Sequence, residues 1–75
     1  MIGEIIAIGD ELTSGRILNT TSGLAARKLF LLGHEIRAMH TIGDDPELIG
    51  TLLRQALNHA DFIILTGGLG ATTDD

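Results

Sequence analysis

The sequence predicts an α/β fold built on a parallel sheet, and three observations lead to that prediction. Three strand-like stretches alternate along the chain with two stretches whose apolar residues recur at helical spacing. Each strand-like stretch runs into glycine and acidic residues. The resulting order, β-α-β-α-β, implies parallel strands joined by right-handed crossovers. Such sheets usually carry more strands, so we interpret the 75 residues as the N-terminal half of a larger doubly wound domain.

In the first half of the chain, a strand is predicted over Glu4–Gly9. Its continuous apolar run is typical of a strand that is covered on both faces. A loop, Gly9–Arg16, follows. Residues 19–22 offer several N-cap side chains for a helix that continues to about Leu32. Gly33 is well placed to end that helix, because glycine is common just after a helix C-terminus.

In the second half, the alternating segment His34–Ile42 predicts a second strand. It is more polar than the other two strands, which favours a position at the sheet edge. Asp45 is predicted to cap the next helix, with Pro46 in the first helical position. Apolar residues recur without a gap at helical spacing as far as Ala60, and the third strand is predicted over Phe62–Leu65.

The third strand leads into a glycine-rich turn with the sequence Thr66-Gly67-Gly68-Leu69-Gly70-Ala71-Thr72-Thr73-Asp74-Asp75. Glycines let the backbone approach a ligand closely, and successive N–H groups in such a turn form a nest for an anion. Thr72 adds a hydroxyl donor, and the two aspartates offer oxygen ligands for a hard cation. The pattern predicts a site for phosphate and metal. The alternative is a tight turn that happens to be rich in glycine.

Acidic residues are concentrated at the predicted carboxyl ends of the strands. In a parallel sheet these ends meet at one edge, where ligands bind. So many carboxylates beside an anion-binding turn imply that a cation lies between them and the anion. Mg²⁺ suits this role, because it binds one or two carboxylates and bridges to phosphates. Six of the ten acidic residues lie there: Asp10, Glu11, Asp44, Asp45, Asp74 and Asp75.

These acids also have structural interpretations. Asp45 is more readily explained as a helix cap than as a ligand. Asp10 and Glu11 could simply be solvated in their loop. Asp74 and Asp75 could lie at the start of a following helix, where negative charge is favourable.

Composition argues against several classes of function. A net charge of −5 and an aromatic content of 3% argue against nucleic-acid binding. No apolar run approaches the length of a membrane span, so a cytoplasmic protein is expected. The absence of cysteine excludes disulfides and thiolate metal sites. The three histidines are interpreted as structural or surface residues.

Three motifs resemble the molybdopterin-binding domain of molybdenum-cofactor biosynthesis proteins. They are Gly9-Asp10-Glu11-Leu12 with Gly15 and Asn19-Thr20, then Gly43-Asp44-Asp45, then the glycine-rich turn. The turn and the first motif are most similar to the competence/damage-inducible CinA branch of that family. The resemblance implies a three-layer α/β/α domain of roughly twice this length, with a strand order beginning 2-1-3.

The resemblance also implies roles for individual residues. Asp44 and Asp75 correspond to functionally important acids, expected to be catalytic in an enzymatic version, and Asp44, Asp74 and Asp75 are expected to hold Mg²⁺. The ligand, a molybdopterin or a nucleotide such as ADP-ribose, is expected to contact nine residues: Gly9, Asp10, Glu11, Gly15, Asn19, Gly67, Gly68, Gly70 and Thr72.

Three functions therefore remain open. The chain is expected to bind a small phosphorylated ligand and to hydrolyse the pyrophosphate of ADP-ribose with a divalent metal. Alternatively, it is a binding module without chemistry, or a structural half-domain. A homo-oligomer is expected, with no nucleic-acid or membrane partner.

Overall fold

The computed structural model describes residues 1–67, in which three parallel strands alternate with helices. The strand order is β2-β1-β3, and both strand pairs are parallel, so the predicted 2-1-3 sheet is confirmed. Among these residues, no helix is long and apolar enough to span a membrane. The elements, in chain order, are β1 (Ile2–Ile8), α1 (Asp10–Thr13), α2 (Thr21–Leu31), β2 (Glu35–Ile42), α3 (Pro46–Leu57) and β3 (Phe62–Thr66).

The core is centred on β1, which lies between the other two strands. Four consecutive residues, Ile5–Ile8, are 0% exposed. Successive side chains of a strand point to opposite faces, so this burial requires cover on both sides of the sheet. Full burial of an isoleucine side chain contributes about 1.5–3 kcal/mol. The apolar run in the sequence is therefore the centre of the fold.

The helices α2 and α3 lie on opposite faces of the sheet. Asn19, just before α2, lies 3.5 Å from the Thr41 hydroxyl. His40, which points to the other face, shares a cleft with Leu52 and Ala56 of α3. The opposite placement follows from the topology, because two right-handed crossovers that run in opposite directions along a sheet place their helices on different faces. The three-layer α/β/α arrangement is thus confirmed.

Side chains close the first turns of both long helices. The Asp45 carboxylate accepts hydrogen bonds from the backbone N–H groups of Glu47 (3.0 Å) and Leu48 (3.4 Å), and proline follows it. The predicted cap is confirmed. For α2, the Asn19 side-chain oxygen accepts from the Ser22 N–H at 3.3 Å. Such bonds satisfy N–H groups that have no partner within the helix.

Three features of the elements differ from the prediction by more than one residue. The segment after β1 is not entirely a loop, because the Gly9 carbonyl accepts from the N–H groups of Leu12 and Thr13 and starts a short helix. Strand β1 begins at Ile2, whose N–H donates to the Asp61 carboxylate at 2.8 Å. Helix α3 ends at Leu57, before the predicted Ala60.

Candidate functional site at the carboxyl edge of the sheet

The turns that follow β1 and β2 meet directly. The Gly9 N–H donates to the Ile42 carbonyl at 2.9 Å, and the Asp44 N–H donates to the Asp10 carboxylate at 3.0 Å. A Cβ on Gly43 would lie 2.8 Å from the same Asp10 oxygen, so glycine leaves room for this contact. Two of the predicted acidic turns therefore lie side by side, as parallel strands require.

The turn that follows β3 begins against the end of β1. Gly67 has a φ of +78°, a conformation that side chains other than glycine rarely adopt. A Cβ there would lie 2.5 Å from the carbonyl oxygen of Ile8. Both constraints require glycine at this position. The start of the glycine-rich turn is thereby fixed at the carboxyl end of the central strand.

A cleft of about 190 Å³ lies between the β1 and β3 turns. Three predicted ligand-binding residues, Glu11, Asn19 and Gly67, line it together. The cleft also has an apolar wall that the sequence analysis did not identify. The only sequence signal for this wall is the apolar pair Ile17-Leu18 within a polar segment. The additional lining residues are Leu12, Ile17, Leu18, Thr21 and Thr66.

The other predicted ligand residues are placed as follows. A Cβ on Gly9 would lie 2.7 Å from the Glu11 carboxylate, so Gly9 provides space for that side chain. The Asn19 amide donates to the Ser22 hydroxyl at 3.0 Å, and so Asn19 anchors the start of α2 as well as lining the cleft. Gly15 has a φ of +79°, but a Cβ there would meet no atom within 4 Å, and it does not line the cleft.

The metal prediction depends partly on residues beyond the described region. Gly68, Gly70, Thr72, Asp74 and Asp75 lie outside residues 1–67. Within residues 1–67, no three His, Asp or Glu side chains are arranged to hold a metal ion. The backbone N–H of Asp44 contacts the Asp10 carboxylate, and carboxylate oxygens are the donors that Mg²⁺ prefers. The donor chemistry therefore fits Mg²⁺, whereas the predicted set of three remains a prediction.

A buried charged cluster that the sequence analysis did not identify lies on the α3 side of the sheet. The Glu4 carboxylate is 3% exposed and lies 2.7 Å from His40 Nε2 and 2.9 Å from Arg37 Nη1. The hydrogen bond with His40 lowers the pKa of Glu4 below its ordinary value of 4.5; burial opposes that shift and Arg37 reinforces it. The pairing register between β1 and β2 shifts between Gly3 and Glu4, so Arg37 has no partner residue on β1. Such a β-bulge redirects the side chains near it.

Comparison with known proteins agrees with the family resemblance of the three motifs. A family model described as "Probable molybdopterin binding domain" matches residues 4–75. The chain is 62% identical over 72 residues to a CinA-like protein of Desulfotalea psychrophila, covering 96% of this chain and 17% of that protein. It is 49% identical over 75 residues to a protein of Natranaerobius thermophilus described as competence-damage inducible, covering all of this chain and 18% of that protein.

A solved structure has the same fold. The crystal structure of the protein CinA, of unknown function, from Thermoplasma acidophilum superposes with a TM-score of 0.88 at 32% identity, covering 96% of this chain and 43% of that one. The chain spans about one sixth of the length of the two curated relatives. From the fold, the motifs and the family match, the chain belongs to the molybdopterin-binding domain family, in which its similar relatives include CinA-like proteins.

Proposed function

We propose that the chain binds a phosphorylated pterin or nucleotide, such as molybdopterin or ADP-ribose, at the carboxyl edge of the sheet. One observation carries the proposal: the turns after all three strands begin at the same edge. The Asp10 carboxylate contacts the Asp44 backbone, while Glu11 and Gly67 line a common cleft. In parallel sheets, this edge is where ligands bind.

The cleft offers different surfaces to the two ends of such a ligand. Ile17 and Leu18 line the cleft and are 56% and 81% exposed, so they present apolar surface beside the polar turn. We propose that they contact the flat face of the pterin or purine ring, where burial of apolar surface is favourable. The phosphates would then lie towards Gly67 and the glycines that follow it, whose N–H groups suit an anion.

In the enzymatic version, Asp44, Asp74 and Asp75 would hold Mg²⁺, and the ligand would be a pyrophosphate such as ADP-ribose. Bound there, Mg²⁺ supplies electrostatic stabilisation of the phosphoryl oxygens. Water attacks one phosphorus and the bridging P–O bond breaks, leaving two monophosphates. Asp44 and Asp75 are the residues proposed to orient the water and the metal.

The second candidate is a binding module that holds the ligand without chemistry. The family description supports it, since it mentions molybdopterin binding and no reaction.

Titration calorimetry with ADP-ribose, with and without Mg²⁺, tests the proposal, combined with chromatography of the products. We expect binding that strengthens with Mg²⁺ and is weakened at least tenfold by Asp44→Ala. Glu35→Ala is the matched control, because Glu35 is an exposed acid at the opposite end of β2. Binding without products favours the module. If neither ADP-ribose nor a pterin phosphate binds, or if both variants weaken binding equally, the proposed site is wrong.

A further inference from the structure

The neighbouring acids Asp10 and Glu11 are directed to different turns. Glu11 lines the cleft between the β1 and β3 turns. The Asp10 carboxylate instead accepts a hydrogen bond from the backbone N–H of Asp44, in the turn after β2, at 3.0 Å. Asp10 is not among the described residues that line the cleft. The two acids therefore have separate surroundings, although they are adjacent in the chain.

Hydrogen bonds of α1 fix the backbone from which the Asp10 side chain extends. The Asp10 carbonyl oxygen accepts from the Ser14 N–H at 3.0 Å and from the Thr13 hydroxyl at 3.3 Å. The preceding residue, Gly9, donates its N–H to the Ile42 carbonyl at 2.9 Å. The Asp10 carboxylate therefore reaches the turn after β2 from a backbone that is held on both sides.

The turn after β2 is held at its far end by a helix cap. The Asp45 carboxylate accepts from two N–H groups in the first turn of α3, and the Asp45 N–H donates to the Gly43 carbonyl at 2.9 Å. Asp44 lies between this cap and the contact with Asp10. The Asp44 backbone is therefore fixed from two sides.

Gly43 leaves space for the Asp10 carboxylate. A Cβ at position 43 would lie 2.8 Å from Asp10 Oδ1, which is the oxygen that contacts Asp44. The next atom, the Thr13 hydroxyl oxygen, would be 3.8 Å away, at ordinary contact distance. Gly43 is not among the described glycines with a positive φ, so alanine there adds no backbone strain. A methyl group at this position would therefore displace the carboxylate and leave the backbone in place.

We propose that Asp10 is a positioning residue, which holds Asp44 at the carboxyl edge through one oxygen and does not itself contact the ligand or Mg²⁺. The proposal rests on the proposed function for the role of Asp44. The sequence analysis expected Asp10 among the ligand contacts, so its role here is different. The two roles make different chemical demands. Positioning needs an acceptor oxygen, which asparagine also has, whereas Mg²⁺ is bound through carboxylates.

Hydrogen exchange of the Asp44 amide, measured by NMR on the chain without ligand, tests the contact. We expect Asp10→Ala to accelerate this exchange by about fivefold, because the loss of a hydrogen bond of ordinary net strength corresponds to that factor. Asp10→Asn should stay closer to the original rate than to the rate of Asp10→Ala. Gly43→Ala should resemble Asp10→Ala after correction for the intrinsic rate. The double variant Asp10→Ala/Gly43→Ala should be no faster than either single variant, because both changes remove the same contact.

Titration calorimetry with ADP-ribose, with and without Mg²⁺, tests the positioning role. Asp10→Ala and Gly43→Ala should each reduce the strengthening of binding by Mg²⁺ at least about threefold and should change metal-free binding less. A general loss of stability would instead weaken both measurements alike. Asp10→Asn should keep most of the strengthening. Gly23→Ala is the matched control for Gly43→Ala, since a Cβ at position 23 would meet no atom within 4 Å, and it should bind like the original chain.

Circular dichroism should show that all variants are folded. Exchange of the Asp44 amide that no variant changes overturns the proposal. So does an Asp10→Asn variant that loses the strengthening by Mg²⁺ as fully as Asp10→Ala, because the charge of Asp10 would then be required. If the original chain binds no ADP-ribose, the proposed function fails, while the exchange rates still decide whether Asp10 holds the Asp44 turn.

Discussion

The contact between the glycine-rich turn and β1 gives the sharpest prediction, which compares Gly67→Ala with Gly15→Ala. The two glycines have nearly the same φ, +78° and +79°. Their surroundings differ, because a Cβ at position 67 would lie 2.5 Å from the Ile8 carbonyl oxygen, whereas a Cβ at position 15 would meet no atom within 4 Å. The pair separates backbone strain from steric contact.

The expected magnitudes follow from these distances. A left-handed conformation costs a non-glycine residue about 1–2 kcal/mol, and the reduced freedom of the unfolded chain returns roughly 0.4–1 kcal/mol. Gly15→Ala should therefore destabilise the fold by about 1 kcal/mol. At position 67 the new carbon would lie about 0.9 Å closer to the Ile8 carbonyl oxygen than ordinary van der Waals contact, which begins at 3.4 Å. Moving the β1 carbonyl adds about 1–3 kcal/mol.

Urea unfolding followed by circular dichroism measures both variants. With a slope of about 1 kcal/mol/M for a small domain, Gly67→Ala should lower the midpoint by at least about 1 M more than Gly15→Ala does. Equal midpoints for the two variants would refute the close approach of the turn to β1. The proposed position of the anion nest would then lose its support.

Three further predictions concern stability. Asp45→Ala removes the α3 cap and should cost about 1 kcal/mol by urea unfolding; an unchanged midpoint would mean that the cap contributes nothing. Gly3→Ala places a carbon in steric overlap with the Phe62 ring and should cost about 1–3 kcal/mol, and a neutral result would show that the ring moves freely aside. Glu4→Gln weakens two charge-assisted hydrogen bonds and should cost about 2 kcal/mol at pH 7. Because the folded-state pKa of Glu4 lies below its unfolded value, its contribution is present above about pH 4.5 and is lost as the pH falls through the folded-state pKa. Between pH 7 and pH 3, the urea midpoint should therefore fall less steeply for Glu4→Gln than for the original chain. Parallel curves for the two proteins would contradict the lowered pKa of Glu4.

Much of the fold was predictable because local patterns and global topology agree. The apolar run of β1 predicted burial on both faces, and the alternation of β2 predicted an edge strand of the described sheet. The meeting of Asp10 and Asp44 followed from parallel strand direction alone. These features depend on residue type and order, which a single sequence contains.

Other features depend on register and side-chain geometry, which the sequence does not specify. The buried Glu4 cluster requires the register shift that redirects Arg37, and no residue pattern marks that bulge. The short helix α1 depends on hydrogen bonds to the Gly9 carbonyl in a segment rich in turn residues. The Ile17–Leu18 wall of the cleft becomes recognisable only when β3 is placed beside β1.

The central claim is that a phosphorylated ligand binds where the three strands end, and mapping ADP-ribose binding by amide chemical shifts tests it most directly. In the presence of Mg²⁺, we expect the largest changes at the amides of Gly9, Glu11, Asn19 and Gly67. The amides of Glu35 and His59 should stay unchanged, because neither residue lies in the cleft. Changes confined to residues beside Arg37 and His59, or no changes at saturating ligand, would contradict the claim.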